Sequence, residues 1–495
     1  METRIKLIQS FHNSPTELVL ALSGGGSLVL GDLLTVPGAS RTLIEASVPY
    51  SEESLNRYIG RVPEQYCCQR TARYMAMTAF HRGIRYLRSR KTENSPVDGI
   101  FNTRSVDVSH IDDTRFYAKN NAEKMEEDDL NDYVNLIGIG CAASLVTDRS
   151  KKGNYRFHVA TQTLRRTIVF SLQLTKDVRT RQEEERLLAD TILNAIETTR
   201  HEILSSTPSS TPSPTPSQTL VQTLAQLPEE AAEDHSLCNT FGAGTTDTFP
   251  IREFLPLDLK PKEVIVGRQT IGSPPLVELF FGKIRAVLWK SGTIQHFELW
   301  KNSLDSKQEP PQIYDPSQRE KEWTQAIFPG SFNPIHKGHV EMIEIAEHRL
   351  GSRVALEISI QNVDKPPLDY IELEYRLKAI ENMRPKQAVW LTQTPLFEDK
   401  SDIFNGTTFV VGADTLRRFS DLRFYHESTH QLHDVLRLIA FHNCRFLVFS
   451  RQGSREIESL ETLKMPDMLR SLCDEIPPSV FAMNISSSDL RRNEF

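Results

Sequence analysis

The sequence predicts an α/β protein with two α/β domains, the C-terminal one a parallel sheet that carries helices on both faces. Strand-like and helix-like segments alternate regularly over residues 321–495, which is the pattern of a parallel sheet covered by helices. A second set of apolar segments and long amphipathic helices occupies residues 1–203. Between the two, residues 204–236 form a Ser/Thr/Pro-rich linker whose composition cannot bury a core.

Composition limits the classes of function. The chain has 495 residues, 39% of them hydrophobic, and a formal net charge of -7, which favours neither nucleic-acid nor anionic-membrane binding. No apolar run is long enough to cross a bilayer, and the N-terminus lacks the apolar segment of a signal peptide. The six cysteines show no CxxC spacing and are typical of reduced thiols. We therefore expect a cytoplasmic protein with small-molecule partners, and a homo-oligomer is a further expectation.

The N-terminal domain begins with a short strand, a glycine-rich turn and a helix. Its later segments alternate between long helices and β segments, with an acid-rich surface insertion at 90–132 that we expect to be mobile. The predicted strands are 18–22, 136–141, 155–162 and 165–173, the last two as a hairpin, and the predicted helices are 28–34, 65–88 and 182–203.

Several motifs of this domain resemble the CinA C-terminal family, whose active members are nicotinamide-nucleotide amidohydrolases. The resemblance covers roughly residues 5–203 and rests on ALSGGGS (21–27), LLTVPGAS (33–40), PYSEESL (49–55) and GIGCAAS (138–144). It implies a pocket lined by Ser23, Gly24, Gly25, Gly26 and Tyr50, with Ser23 at the position of the nucleophile. A flexible turn is the alternative interpretation of SGGGS.

The catalytic base implied by that resemblance is absent. Active members carry a lysine five residues after the tyrosine, where it would take the proton of the serine. Here the tyrosine matches Tyr50 and the lysine position holds Leu55, which cannot act as a base. We therefore expect a non-catalytic N-terminal domain that binds an anion or another ligand. A bifunctional deamidase and transferase is the weaker alternative.

Residues 237–320 are predicted to form a small β element that connects the two domains. Short apolar segments at 264–266, 276–281, 284–289 and 293–299 are separated by Gly, Ser and Pro turns, which is typical of short strands. The function of this region is not readable from the sequence.

The C-terminal domain is predicted to contain a strand at 326–328, a helix that runs to Leu350, and five further strand and helix segments. The later strands are predicted at 353–360, 388–392, 407–412, 445–450 and 480–484, and the helices at 371–383, 395–404, 415–425, 432–442 and 460–473. A parallel sheet of this kind binds ligands beyond the C-terminal ends of its strands. Polar residues follow these strands repeatedly, so we expect a single site along that edge.

The most informative stretch is GSFNPIHKGH, which joins the first of these strands to its helix. Gly330 permits close approach of a phosphate, and the N-terminus of the helix favours an anion. His336 and His339, with Gly338 between them, share one face of the first turn and could donate hydrogen bonds to a phosphorus centre. The full set of residues predicted from this stretch to contact the nucleotide or the reacting phosphorus is Gly330, Ser331, Phe332, Asn333, Pro334, His336, Gly338 and His339.

This stretch resembles the GxFxPxHxGH signature of the nucleotidylyltransferase superfamily, whose core is a Rossmann-like sheet. ISSSDLR (485–491) resembles the second signature of that superfamily, ISSxxxR, which implies that Ser486, Ser487 and Arg491 hold the triphosphate. Taken alone, it could equally be a serine N-cap followed by a solvent-exposed arginine.

Three further matches refine that resemblance. Gly412 and Asp414 match the GxD of the nicotinamide-nucleotide branch, although Asp414 could also be a simple turn residue, and Arg451 matches its RxG. Lys365 lies where relatives carry a basic residue near the phosphates.

The resemblance implies transfer of AMP from ATP to a phosphate-bearing acceptor such as nicotinamide or nicotinate mononucleotide, with release of pyrophosphate. Mg²⁺ is expected on the phosphates, ligated largely by water and nucleotide, and no dedicated protein metal site is predicted. Cytidylyl transfer, another acceptor on the same fold, and a degenerate nucleotide-binding sensor remain open as alternatives.

Overall fold

The computed structural model describes residues 2–93, 129–148, 152–205, 249–295, 325–361, 367–425, 428–452 and 457–481. Most of the predicted insertion and of the predicted linker lies outside these residues. So do Lys365, Ser486, Ser487 and Arg491. Within the described residues, no helix is long and apolar enough to cross a membrane.

The first sheet has six strands in the order β2-β1-β3-β4-β5-β6. The first three strands run parallel, and β3 to β6 run antiparallel, so the sheet is mixed. The predicted hairpin is confirmed as β4 and β5. The strands are β1 (Glu17–Ser23), β2 (Leu43–Ser47), β3 (Leu136–Ser144), β4 (Tyr155–Gln162), β5 (Arg166–Leu174) and β6 (Val266–Ile271).

Helices cover this sheet on both sides. The helices are α1 (Glu2–His12), α2 (Leu28–Thr35), α3 (Glu52–Ile59), α4 (Gln69–Glu93), the single turn α5 (Asp129–Asp132) and α6 (Arg181–Ser205). The glycines of the GIG motif explain how α4 packs so closely on β3. A Cβ at Gly138 would lie 2.4 Å from the carbonyl oxygen of Ala76, and one at Gly140 would lie 2.1 Å from that of Ala72. These glycines therefore serve helix–sheet packing.

The second sheet has eight strands in the order β16-β13-β12-β9-β10-β11-β7-β8. The six strands from β16 to β11 are parallel, and β7 and β8 extend the sheet antiparallel at one edge. Apolar clusters fill both faces, as the prediction of a Rossmann-like sheet requires. The strands are β7 (Ala286–Lys290), β8 (Thr293–Gln295), β9 (Ala326–Pro329), β10 (Val354–Ser359), β11 (Val389–Thr392), β12 (Thr408–Gly412), β13 (Arg445–Phe449) and β16 (Cys473–Ile476). The separate two-stranded β14 (Arg451–Gln452) and β15 (Ile457–Glu458) follow β13.

The helices of the C-terminal half connect these strands. They are α7 (Pro274–Phe280), α8 (Lys337–Leu350), α9 (Tyr370–Met383), α10 (Phe397–Ile403), α11 (Ala413–Phe419), α12 (Thr429–Phe441) and α13 (Asp467–Ser471). The segment 249–295 gives one strand to the first sheet and two to the second, since β6 pairs with β5, β7 pairs with β11, and β8 pairs with β7.

Three element predictions are wrong. The predicted strand at 276–281 is helix α7, which begins at a pair of prolines, a favourable residue type for the first helical turn. The last parallel strand is Cys473–Ile476, ahead of the predicted 480–484, of which the described residues 480 and 481 are not in a strand. The predicted helix at 460–473 is limited to the short α13 because Pro466 lies at its N-cap.

The two halves share a buried interface in which α9 packs against the first sheet. The Tyr370 hydroxyl donates to the Leu164 carbonyl at 2.7 Å, and the Tyr370 N–H donates to the Thr167 hydroxyl at 3.2 Å. Ile371 lies in one apolar cluster with residues of α4 and of the first sheet. The N-terminal helix α4 is therefore enclosed between its own sheet and the C-terminal half.

Candidate functional site

The turn after β9, residues 330–336, lies at the point where the chain order in the second sheet reverses. The chain proceeds from β9 to β10 and β11 on one side, and then to β12, β13 and β16 on the other. In open α/β sheets, ligands bind in the crevice at such a switch point, beyond the C-terminal ends of the strands. We call residues 330–336 the signature turn.

Close packing determines the shape of the signature turn. The Gly330 N–H donates to the Glu357 carbonyl on β10 at 2.9 Å, which ties the turn to the neighbouring strand. Phe332 adopts a φ of +42° and its ring is buried. A Cβ on Gly330 would lie 2.7 Å from the Phe332 ring, so only glycine fits here. The ring in turn contacts Phe328 and His339 edge-on, with centroids 5.3 and 5.1 Å apart.

The two histidines of the signature are stacked at the start of α8. Their ring centroids are 3.7 Å apart, and the backbone N–H of His336 donates to Nδ1 of His339 at 3.2 Å. Because Nδ1 of His339 accepts a hydrogen bond, the proton of its neutral ring lies on Nε2. Burial, with a smaller contribution from His336, lowers the pKa of the His339 imidazole to about 3. At neutral pH His339 is therefore an uncharged donor in the first turn of the helix.

Other predicted contacts follow strands of the same sheet. Gly412 ends β12, which pairs parallel with β9, so the two strand ends lie at one edge. Asp414 lies in the first turn of α11, and a Cβ on Gly412 would come within 2.6 Å of its carboxylate. The backbone of Arg451 opens β14 directly after β13. The structure thus places residues 330–339, 412–414 and the backbone of 451 along the same edge.

Two buried charged groups near the signature turn were missed by the sequence analysis. The Lys400 ammonium donates to the Glu357 carboxylate at 2.7 Å and to the Thr394 carbonyl at 2.5 Å. The Thr392 hydroxyl donates to the same oxygen of Glu357. Glu357 is also the residue whose carbonyl accepts from Gly330, so this ion pair belongs to the strand residue that ties down the signature turn. Glu357 within the apolar strand segment VALEIS is the one signal that could have indicated this pair, because Lys400 lies in the polar helix segment FEDKSDI.

A second missed group is the pair Glu372 and Arg376 on α9. The Glu372 carboxylate accepts from the Asn333 amide at 2.9 Å and from Arg376 at 3.0 Å. Arg376 also donates to the Ser331 carbonyl at 2.9 Å. Both contacts tie the signature turn to α9, in addition to its hydrogen bond to β10. No sequence signal marked these residues, because they lie on a helix predicted only from its apolar pattern.

The N-terminal turn after β1 is occupied by side chains of its own domain. The Gly26 N–H donates to the Glu185 carboxylate of α6 at 2.7 Å, and Arg181 donates to the Gly24 carbonyl at 2.9 Å. Gly24 and Gly26 have φ of +79° and +90°, and a Cβ on Gly24 would lie 1.9 Å from the Ala143 carbonyl oxygen. The Gly26 N–H, one of the donors that could bind an anion at this turn, thus already binds a carboxylate.

The remaining predicted pocket residues differ in their exposure to solvent. Ser23 is buried at the end of β1, whereas Tyr50 is 66% exposed. Leu55 lies buried in an apolar cluster with Ala21 and Ala72, so it is a core residue. Residue 55 itself therefore supplies no basic side chain to Ser23.

A histidine that the sequence analysis did not single out lies on the same sheet face as Ser23. Ser23 pairs with Ala142, Ala142 with His158, and His158 with Ser171, so these side chains form a row across the sheet. Nδ1 of His158 contacts the Ser171 hydroxyl at 2.8 Å, and burial lowers the pKa of His158 to about 3. His158 is therefore a buried, neutral histidine with one ring nitrogen paired to Ser171.

The chain is similar over 41% of its length to the crystal structure of the competence/damage inducible protein CihA from Agrobacterium tumefaciens, at 15% identity, 94% coverage of that chain and a TM-score of 0.25. A TM-score this low does not assign a fold or a function. None of the curated proteins matches the sequence. Residues 327–493 match the family described as cytidylyltransferase-like, and with the signature turn at the switch point of a parallel sheet, the C-terminal part of this chain is a domain of the nucleotidylyltransferase superfamily.

Proposed function

We propose that the C-terminal domain transfers AMP from ATP to a phosphate-bearing acceptor such as nicotinamide or nicotinate mononucleotide, releasing pyrophosphate. The observation that carries this proposal is the pair of stacked histidines at the start of α8, one of them neutral and with a fixed tautomer. The cytidylyltransferase-like family match supports nucleotidyl transfer in general. Adenine and a pyridine mononucleotide are favoured by the match of Gly412 and Asp414 to the GxD motif.

The chemistry needs no protein nucleophile. A phosphate oxygen of the acceptor attacks the α-phosphorus, the bond to the bridging oxygen breaks, and pyrophosphate leaves in line. Nε2 of His339 would donate a hydrogen bond to an α-phosphate oxygen as charge builds there, and His336 would act beside it. The N-terminus of α8 contributes further N–H donors.

The C-terminal cluster would hold the leaving group. Ser486, Ser487 and Arg491 are proposed to bind the pyrophosphate, and Arg451 and Lys365 to contact the phosphates. The donors of the signature turn suit anionic oxygens, so Mg²⁺ would take its ligands mainly from the nucleotide and water. When bound, the metal would neutralise charge on the phosphates.

Cytidylyl transfer is the second candidate, because the matching family is described as cytidylyltransferase-like. For the N-terminal half we propose a non-catalytic role, supported by Leu55 in the core and by the carboxylate of Glu185 on the glycine turn. We also propose a cytoplasmic location and a homo-oligomer.

The test is pyrophosphate release by the full-length protein with Mg²⁺ and ATP or CTP. The acceptors are nicotinamide and nicotinate mononucleotides, pantetheine phosphate and glycerol phosphate. His336→Ala should lower kcat by about 100-fold or more, as loss of a transition-state donor does. His348→Ala is the matched control, since His348 is exposed on the same helix, and should keep full activity.

Each result has a clear meaning. Release with ATP and one mononucleotide, lost in His336→Ala, would support the proposal, whereas release with CTP alone would favour the second candidate. No release with any pair of substrates, with ATP still bound, would refute transfer among these acceptors and favour a nucleotide sensor.

A further inference from the structure

An arginine of the N-terminal half contacts the α9 carboxylates near the signature turn, one of which holds that turn. Arg73 on α4 donates to Asp369 at 3.1 Å and to Glu372 at 3.1 Å, both at the start of α9. The three side chains are 3%, 1% and 1% exposed, respectively. Arg73 lies 296 and 299 positions from Asp369 and Glu372 in the sequence, and all three side chains are buried at the contact between the two halves.

In both Asp369 and Glu372, one carboxylate oxygen accepts a hydrogen bond from Arg73, and the other accepts hydrogen bonds from groups of the C-terminal half. Asp369 accepts the Glu372 N–H with its other oxygen and so caps α9. Glu372 accepts from Asn333 and Arg376 with its other oxygen. The same carboxylate therefore contacts the N-terminal helix on one side and the signature turn on the other.

The charges in this cluster are strongly interdependent. Burial would raise the pKa of the Glu372 carboxyl, but the guanidinium groups of Arg70, Arg376 and Arg73 outweigh burial and hold that pKa at about 2. Burial likewise opposes the charge of Arg73, yet Asp369 and Glu372 raise its pKa. Removing one member leaves the others buried and incompletely paired, so the geometry of the cluster must change.

We propose that Arg73 is a positioning residue for nucleotidyl transfer, acting through Glu372 to fix the signature turn. The inference rests on the proposed function for its kinetic readout. Asn333 and the Ser331 carbonyl hold the turn through Glu372 and Arg376, and the turn leads directly to His336 and His339. A shift of about 1 Å at the reacting groups can lower a rate about 100-fold. The N-terminal half is thus part of the framework of the transfer site.

The test compares Arg73→Met with a buried arginine far from the signature turn. Arg179 pairs with Glu263 at 2.6 Å, and both side chains are 1% exposed, so Arg179→Met disrupts an equally buried pair at the end of β5. In the full chain, Arg73→Met should lower kcat about 10- to 100-fold with little change in KM for ATP. Arg179→Met should leave kcat within about twofold, and Arg73→Lys should recover part of the loss.

A second readout does not depend on activity. Hydrogen–deuterium exchange of peptides covering residues 329–341 should accelerate in Arg73→Met and stay unchanged in Arg179→Met. If Arg73→Met does not fold, Arg73→Lys, which keeps the charge but loses the paired donors, gives the same comparison at smaller amplitude. Failure of the wild type to release pyrophosphate would refute the proposed function. The exchange measurement alone would then decide whether Arg73 positions the signature turn. Unchanged exchange and unchanged kcat in folded Arg73→Met would overturn the positioning role, and so would equal losses in Arg179→Met.

Discussion

Adding a single methyl group at Gly330 should disturb both stability and transfer. The new Cβ of Gly330→Ala would lie 2.7 Å from the Phe332 ring, whereas carbon atoms in contact lie about 3.5–4.0 Å apart. The ring must therefore move by about 1 Å. It cannot rotate away freely, because it is 1% exposed and packed between Phe328 and His339. Overpacking of this kind costs about 1–3 kcal/mol, and displacement of His339 should lower kcat about 10- to 100-fold.

The matched control is the same substitution at a glycine with room around it. Nothing lies within 4 Å of a Cβ on Gly31, which is in helix α2, so Gly31→Ala should raise stability by about 0.5–1 kcal/mol and leave kcat unchanged. Urea unfolding gives the stability and pyrophosphate release gives the rate. A Gly330→Ala variant as stable and as active as the wild type would refute the account of a tightly packed signature turn.

Three further predictions concern buried charge and the N-terminal half. Lys400→Met leaves Glu357 buried without its cation and should cost about 3–5 kcal/mol, whereas adding Glu357→Gln should recover part of that loss in urea unfolding. Burial lowers the pKa of His81 to about 4 and of His158 to about 3, so the unfolded chain binds protons that the folded chain does not. The two histidines together should therefore lower the free energy of unfolding by about 3 kcal/mol between pH 6.5 and pH 5. His158→Gln should reduce this loss in urea unfolding at the two pH values. The wild type should release no ammonia from nicotinamide mononucleotide; release that disappears in Ser23→Ala would support the bifunctional alternative instead.

Local patterns in the sequence were sufficient to predict the strand, the turn and the helix that carry the two signature histidines. The prediction of a strand, a turn and a helix at 326–350 is confirmed by Ala326–Pro329 and Lys337–Leu350. Both elements are specified by nearby residues: a buried apolar run, glycine at Gly330, and helical spacing that ends at Gly351 with a φ of +63°. The assigned roles of individual site residues stay predictions.

Elements whose identity depends on distant partners could not be predicted in the same way. The apolar run at 276–281 is too short to distinguish a strand from a buried helix by its pattern. The strand Cys473–Ile476 lies at the edge of the sheet and fully buries only Ile476, so it lacks the apolar signal of an interior strand.

The contact between the two halves could not be predicted from the sequence, and it is also the main structural result. Arg73 and Asp369 are 296 positions apart, and each alone is typical of a solvated helix residue. Their burial becomes understandable only when α9 lies against α4, where each charge satisfies the other. Because Glu372 joins that pair to Asn333, the position of the histidine-bearing turn depends on a helix that the sequence assigned to a separate domain. A Ser/Thr/Pro-rich composition between two segments therefore does not imply that the segments on either side of it act independently.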